Sequence, residues 1–379
     1  MNNADLAARV VARDALVRIE TDDAYANLVL PPMLERSDLS GRDRRFVTEL
    51  VYGSTRMRRA VDGALAPHVQ REIEPEVRTV LRLGAYQLLY AGVAAHAAVS
   101  TTVSLAPKRA QGFVNAVMRR LSEAAPFDDP DAATRLSYPD WVVERLRRDL
   151  GEKAALDALE AMNQPPRPHV RDDGYVQDPA SGWVAGLVDA EPGHLVADVC
   201  AAPGGKATAL GHLVRDGLVV AADARAGRVA LIADNARSTG TAGTVTPVIA
   251  DGRTPPFRPG AFDRVLVDAP CSGLGVLHRR PDARWRVEPD AIASLAATAR
   301  DLIGAAAALV KPGGVLVYSV CTVTSEETVD VGAWAVEHLT EFTALPPPGG
   351  PWHPHGRGAL LLPQVAGTDG MFVLRLRRA

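Results

Sequence analysis

The chain of 379 residues carries three cysteines, and each stands just past a strand-like run. Cys271 lies in DAPCSG, Asp268 to Gly273, after the run Arg264 to Val267. Cys321 lies in VYSVCT, Val317 to Thr322, and Cys200 comes after HLVADV in the longer word HLVADVCAAPGGK, His194 to Lys206. In a parallel sheet such runs are buried strands, and the residues just past them lie at the carboxyl edge, where ligands bind. A thiolate placed there is a nucleophile. A lone free cysteine is most often a small buried hydrophobe. Two of them, each at a strand end beside the same ligand, point to catalysis.

The ligand is suggested by the residues around them. Cys200, Ala201, Ala202, Pro203, Gly204, Gly205 and Lys206 run from a strand into a helix, and the glycine pair lets backbone N–H groups approach a bound molecule. The loop is not a Walker A motif, because its glycine spacing is wrong and Ala207 comes after the lysine. It also lacks the GxGxxG of dinucleotide enzymes. Asp223 ends the next strand-like run, where an acid can accept both hydroxyls of a ribose. Asp251, in ADGR, is placed to reach an adenine amine, and Asp268 completes a row of three strand-end acids. A nucleoside-bearing cofactor is the economical reading. The C5 position of a pyrimidine is a poor nucleophile until a thiolate adds to C6 and turns the ring into an enamine. Cys321 or Cys271 can supply that thiolate. Asp268, fixed by Pro270, can hold a cytosine N3/N4 edge, and a general base must then take the C5 proton.

These residues need a sheet to position them. From Val176 onward, runs Leu195–Val199, Leu218–Ala222, Val245–Ile249, Arg264–Val267 and Val315–Tyr318 alternate with helical stretches Ala207–Val214, Gly227–Ser238 and Ala291–Val310. That alternation predicts a doubly wound parallel sheet. Met371 to Arg378, MFVLRLRR, supplies a last, antiparallel strand.

Upstream, residues 4–122 read as helices only. Apolar positions such as Ala8, Val11, Ala12, Ala15 and Ile19 trace the stripe of an amphipathic helix, as do Phe46, Val47, Leu50 and Val51. Pro75 is suited to open a helix. Residues 126–176 read as a connector: the turn-rich APFDDPDAA, a helix in YPDWVVERLRRDLG, another over Lys153 to Met162, and a proline-rich segment that cannot be helical.

Composition narrows the class. Hydrophobic residues make up 47%, so the chain is globular. An odd cysteine count fits a reducing cytosol, and no clustered Cys/His spacing suggests a metal. No signal-type run and no stretch long enough to span a bilayer stands out. The net charge of −3 is not the footprint of a generic nucleic-acid binder, so any polyanion contact must be local. Arg42, Arg44, Arg45, Arg56, Arg58 and Arg59 crowd one stretch, which is either a contact or a solvated helix face.

Two resemblances sharpen this. AYANLVLPPML, RDRRFVTELVYGSTR, VRTVLRLGAYQLLY, AHAAVSTTVSLA and GFVNAVMRRL resemble the NusB-type helical RNA-binding domain over nearly all of residues 5–122. DVCAAPGGK, VAADARAGRV, ADGR, VDAPCSGLGVLHRRPDARWR and VYSVCTVTSEE resemble, in order and spacing, the Sun-type RNA cytosine-5 methyltransferases. The resemblance implies an all-α NusB-like bundle at 1–125, a connector at 126–176, and an α/β Rossmann-like class I methyltransferase domain at 177–379. It implies S-adenosyl-L-methionine as cofactor, held by Cys200 to Lys206, Asp223, Asp251 and Asp268. It makes Cys321 the nucleophile and Cys271 the group assisting product release, with 16S ribosomal RNA as substrate. A cytoplasmic monomer, with no membrane or metal partner, completes the expectation. The chain departs from such relatives in its connector, where only Gln164 to Val176 stand in place of several dozen residues. Val320 and Ala207 replace common threonines. Arg279, Arg280, Arg284 and Arg286, with Trp285 and His278, are expected on a loop that clamps phosphates and stacks a base. A non-catalytic RNA-binding assembly factor and a transfer-RNA cytosine-5 methyltransferase remain as alternatives.

Overall fold

The computed structural model describes residues 3–22, 24–70, 72–124, 127, 129 and 131–379. The chain divides into two compact units. The first comprises Met1–Glu144, Asn163–Pro165 and Leu277–Arg286; the second comprises Arg145–Met162, Pro166–Val276 and Val287–Ala379. The connector is therefore no separate body: it contributes to both units. The turn expected over 125–133 falls partly outside the described residues. Where the chain is described, Asp131 accepts from the N–H groups of Ala133 and Thr134 and caps the short helix Ala132–Leu136.

The first unit is helical. Its main helices are Asn3–Thr21, Ala26–Glu35, Gly41–Arg56, Arg58–Leu65, Pro75–Leu89, Ala95–Leu105 and Gln111–Glu123. Their apolar stripes meet in one core that includes Ala12, Leu16, Val47, Leu50, Leu81, Val114 and Met118. Close helix approach depends on Gly84, where an added Cβ would fall 2.4 Å from Thr102 Oγ1. Arg82 is the polar pin of the bundle, donating bidentately to Asp62 at 2.7 and 2.6 Å and to Glu20 at 2.6 Å.

Several arginines expected at the surface are structural. Arg56 is buried and donates to the His278 carbonyl at 3.0 Å. Arg59 donates to the Tyr138 carbonyl and pairs with Asp131 and Asp140. Arg284 is fully buried: it donates to the carbonyls of Arg56 (3.2 Å) and Ser137 (3.0 Å) and to Asn163 Oδ1 (3.0 Å), and it lies 3.9 Å from the Tyr138 ring centroid. Burial lowers its pKa to about 10. Trp285 donates to the Thr55 carbonyl, and Arg286 donates to the Ala24 carbonyl while covering the Tyr25 ring. The phosphate-clamping loop expected from sequence is thus largely a core segment of the first unit. Of its arginines, Arg279 and Arg280 are exposed.

The second unit is a nine-stranded mixed sheet: β1 Leu195–Asp198, β2 Leu218–Asp223, β3 Val245–Ile249, β4 Phe262–Asp268, β5 Val310–Val320, β6 Phe342–Ala344, β7 His353–His355, β8 Gly358–Leu361 and β9 Met371–Arg378. The order is β3-β2-β1-β4-β5-β9-β8-β7, with β6 pairing β9. Strands β3 to β5 of that path are parallel, and β9 is antiparallel to β5. Residues such as Val196, Leu266, Val317 and Val373 form its core with the helix Gly205–Val214. One helical stretch, Pro289–Leu309, is long and apolar enough to cross a membrane, contrary to the expectation from sequence. Ile292, Ala296, Ala299, Leu302 and Ile303 bury one face of it, and the helix packs on β4 and β5. That is the pattern of a core helix.

Candidate active site

Chain reversal in the sheet order places the carboxyl ends of β1 and β4 side by side, the usual binding crevice of a doubly wound sheet. Asp198 closes β1 and is fully buried. Its Oδ1 accepts from the Cys200 N–H at 3.3 Å, while its Oδ2 has no partner. Burial first, then the Asp268 charge, raise its pKa to about 7.

Past Asp198 the loop turns through a cis Ala202–Pro203 bond, and Gly204 takes a φ of +111°, where an added Cβ would fall 3.2 Å from the Ile232 Cα. A side chain there would be strained by that φ, so the turn requires glycine. Lys206, in the first turn of the helix, donates to Asp268 Oδ2 at 2.7 Å. Burial lowers the ammonium pKa, but Asp268, Cys321 and Asp198 outweigh burial and raise it overall. Cys200 is pushed well up, by burial and then by Asp198, Asp268 and Asp223, and is a thiol. Outside the loop, Arg171 donates to the Gly205 carbonyl (2.7 Å), Gln177 Oε1 (2.9 Å) and Thr208 Oγ1 (3.2 Å), and pairs with Asp173. It ties the short proline-rich segment to the loop.

Asp223 ends β2, accepts from the Arg225 N–H at 3.0 Å and pairs with Arg228 at 3.3 Å. Asp251 stands just after β3, but its carboxylate is half exposed and taken up by Arg253; that side-chain hydrogen bond lowers its pKa to about 2.

The two cysteine loops meet because β4 and β5 are parallel neighbours, with Asp268 in register with Ser319. Ser319 Oγ donates to Asp268 Oδ1 at 2.7 Å, so both carboxylate oxygens are occupied. Backbone bonds lace the loops together: Ala269 N–H to the Ser319 carbonyl (3.0 Å) and Gly275 N–H to the Cys321 carbonyl (3.1 Å). An added Cβ at Gly275 would fall 2.2 Å from the Gly370 carbonyl oxygen, so no larger residue fits. The result is a Cys271 Sγ to Cys321 Sγ distance of 3.4 Å, with neither thiol in a disulfide. Cys271 is held well above the ordinary thiol range, first by its hydrogen bond to Cys321, then by burial, the Cys321 charge and Glu327.

Three residues of this site carried no role in the sequence reading. Glu327 lies buried beneath both cysteine loops, and the run of hydroxyl residues Thr322, Thr324 and Ser325 just before it was the available signal. Asp198 stood only as one residue of the strand-like run Leu195–Val199. Arg171 had no signal beyond being charged within a proline-rich stretch.

The residues fit a cationic nucleoside cofactor. An orphaned buried oxygen on Asp198, the carboxylate of Asp223 at the end of β2 and the tight turn at Gly204 lie together at the carboxyl edge of the sheet. Together with the sheet order, they are compatible with an S-adenosylmethionine-dependent methyltransferase, the class to which the family matches assign the chain. A profile described as 16S rRNA methyltransferase RsmB/F matches residues 185–377, and one for the NusB family matches residues 6–123. Rv1407 of Mycobacterium tuberculosis, named as a methyltransferase, is 37% identical over 98% of this chain and 96% of its own length. The ribosomal RNA small subunit methyltransferase B of Thermus thermophilus is 36% identical over 96% of each chain. The crystal structure of PH0851 superposes over 100% of this chain and 99% of its own with a TM-score of 0.81 at 21% identity, a likeness of fold. The chain belongs to the 16S rRNA methyltransferase RsmB/F family. It is an S-adenosylmethionine-dependent rRNA cytosine-5 methyltransferase with an N-terminal NusB domain. The alignment with Rv1407 runs over 451 positions against 379 residues here, so at least 72 residues of that relative have no counterpart.

Proposed function

We propose that the enzyme methylates C5 of a cytosine in 16S ribosomal RNA through a covalent bond between Cys321 and C6, acting in the cytoplasm as a monomer. The observation that carries this reading is the thiol pair 3.4 Å apart beside the Lys206–Asp268–Ser319 group. In such a pair the groups compete for protons. The hydrogen bond to Cys321, burial and the Cys321 and Glu327 charges all favour Cys271 as the protonated partner. Lys206, whose ammonium form the Cys321 charge favours, supports Cys321 as the thiolate.

When bound, S-adenosylmethionine would supply an electrophilic methyl group on its sulfonium, whose sulfur would keep the S–CH3 bond pair and leave as a neutral thioether. Asp198, Asp223, Asp251 and the loop Cys200, Ala201, Ala202, Pro203, Gly204, Gly205 and Lys206 would hold it. On the substrate side, Asp268 is fixed by Lys206 and Ser319 and orients the cytosine N3/N4 edge. Cys321 Sγ donates its electron pair to C6, and the C5–C6 π electrons become available at C5 for the methyl group. Once C5 is methylated, its proton leaves to a base. The C6–S bond then breaks, with its electrons returning to Cys321 Sγ and Cys271 assisting that release.

The test is nucleoside mass spectrometry of unmethylated 16S RNA incubated with the protein and labelled S-adenosylmethionine. New 5-methylcytosine is expected from the wild type. Cys321→Ser should abolish it, and Cys271→Ala should leave a protein–RNA adduct that survives denaturation. An active Cys321→Ser enzyme would overturn the assignment.

A further inference from the structure

The proposed reaction leaves one buried ionisable group unused. Glu327 is 1% exposed, and four neutral donors surround its carboxylate. Oε1 accepts from the Ser272 N–H at 2.7 Å. Oε2 accepts from Ser272 Oγ (2.5 Å), Thr322 Oγ1 (3.1 Å) and Thr324 Oγ1 (2.8 Å). The Ser272 and Thr322 hydroxyls also touch each other at 2.8 Å. The residue's own carbonyl accepts from the Tyr318 hydroxyl at 2.6 Å, which fixes it to β5.

Two of these partners decide the reading. Ser272 is the residue after Cys271, and Thr322 is the residue after Cys321. One carboxylate therefore holds the neighbour of each cysteine, across two loops 50 positions apart in sequence. If stability alone were at stake, an apolar side chain of similar volume would serve as well as a buried carboxylate, because the desolvation of a charge is costly even when it is well hydrogen-bonded. Its negative charge also faces Cys271.

We propose that Glu327 is a positioning residue of the reaction: its carboxylate clamps the two cysteine loops together and sets the thiol spacing on which release of the methylated base depends. This rests on the assignment of Cys321 as nucleophile and Cys271 as the releasing group. Glu327 does not touch the substrate. It acts through Ser272 and Thr322 on when the covalent bond breaks, not on whether it forms.

Glu327→Gln keeps the shape of the side chain but turns one acceptor into a donor. At the Oε1 place the amide nitrogen meets the Ser272 N–H; at the Oε2 place the Ser272, Thr322 and Thr324 hydroxyls must rotate to accept, which breaks the present clamp. The full-length variant, 16S RNA and S-adenosylmethionine are compared with wild type, Cys321→Ser and Cys271→Ala. The expected result is cofactor Kd and RNA KM within about two-fold of wild type and a kcat lower by roughly 10- to 100-fold, the scale of a lost positioning contact. Denaturing gels should show the protein–RNA adduct accumulating during turnover, as in Cys271→Ala. A residue that only stabilises the fold would lower activity without building up adduct, so loss of activity with no adduct overturns the proposal, as does a wild-type kcat. If Glu327→Gln fails to bind cofactor, Thr322→Val decides: it removes one donor, and the expected slowing is about 3- to 10-fold with adduct present. Absence of adduct in that variant likewise overturns the proposal. Failure of the underlying assignment looks different, because Cys321→Ser would then turn over or Cys271→Ala would form no adduct.

Discussion

Replacing Asp198 by asparagine should change the pH dependence of stability in a way that can be calculated. The carboxyl is fully buried with one orphaned oxygen, and its pKa is raised to about 7 in the folded protein. The ordinary value, 3.8, applies once the chain unfolds. A carboxyl with a raised pKa binds its proton more tightly when folded, so unfolding releases that proton at any pH between the two values. Stability therefore falls as pH rises through this window, by about 1.4 kcal/mol per pH unit. Integrated from pH 5 to pH 8, the loss is about 2–3 kcal/mol, and above the folded pKa it levels off. The asparagine variant has no such proton. Its stability relative to wild type should climb by about 2–3 kcal/mol over that interval. Urea titrations at pH 5, 6, 7 and 8, paired with hydrogen exchange on the amides of β1 and β2, read the second unit alone. Curves for the two proteins that stay parallel within about 0.5 kcal/mol would show that Asp198 is not held protonated. The same variant should bind S-adenosylmethionine more weakly despite its gain in stability, a trade common at binding sites.

Two further outcomes test other parts of the structure. Arg284→Ala removes the donor to the Arg56, Ser137 and Asn163 oxygens and leaves a cavity against Tyr138. It should destabilise the first unit by about 3–5 kcal/mol in chemical denaturation; a loss under about 1 kcal/mol would refute its role as a core group. Arg171→Met cuts the ties to Gly205 and Thr208 and should raise the S-adenosylmethionine Kd about ten-fold by calorimetry, with an unchanged Kd counting against loop support.

Short apolar words were the most legible part of the sequence. Val245–Ile249 and Met371–Arg378 are strands over the residues expected: VTPVI is rich in β-branched residues, and MFVLRLRR opens on four apolar residues and then alternates leucine with arginine. Strand β5 begins at Val310, five residues before the expected start at Val315, since Lys311–Gly314 reads as a turn but pairs irregularly beside Phe262 and Arg264. The cysteine loops were legible through their place at strand ends. What could not be read was where charge goes inside. An arginine in LHRRPDARWR looks solvent-facing until the oxygens that receive it are known, and Arg284 meets three of its acceptors, on Arg56, Ser137 and Asn163, only in three dimensions. Glu327 was hidden for the same reason: its value lies in partners at Ser272 and Thr322, and the link to Ser272 has no sequence signature.

The segment Leu277–Arg286 belongs to the first unit although it is encoded between β4 and the helix that leads to β5. A gene fragment ending after the NusB match at residue 123 would lack the rest of the unit up to Glu144, Asn163–Pro165 and the distant ten residues Leu277–Arg286, Arg284 among them. Shuffling such a fragment onto another catalytic domain transplants an incomplete part. The heritable module here is the whole reading frame, and recombination inside it should be productive only when the distant ten-residue segment travels with its helices.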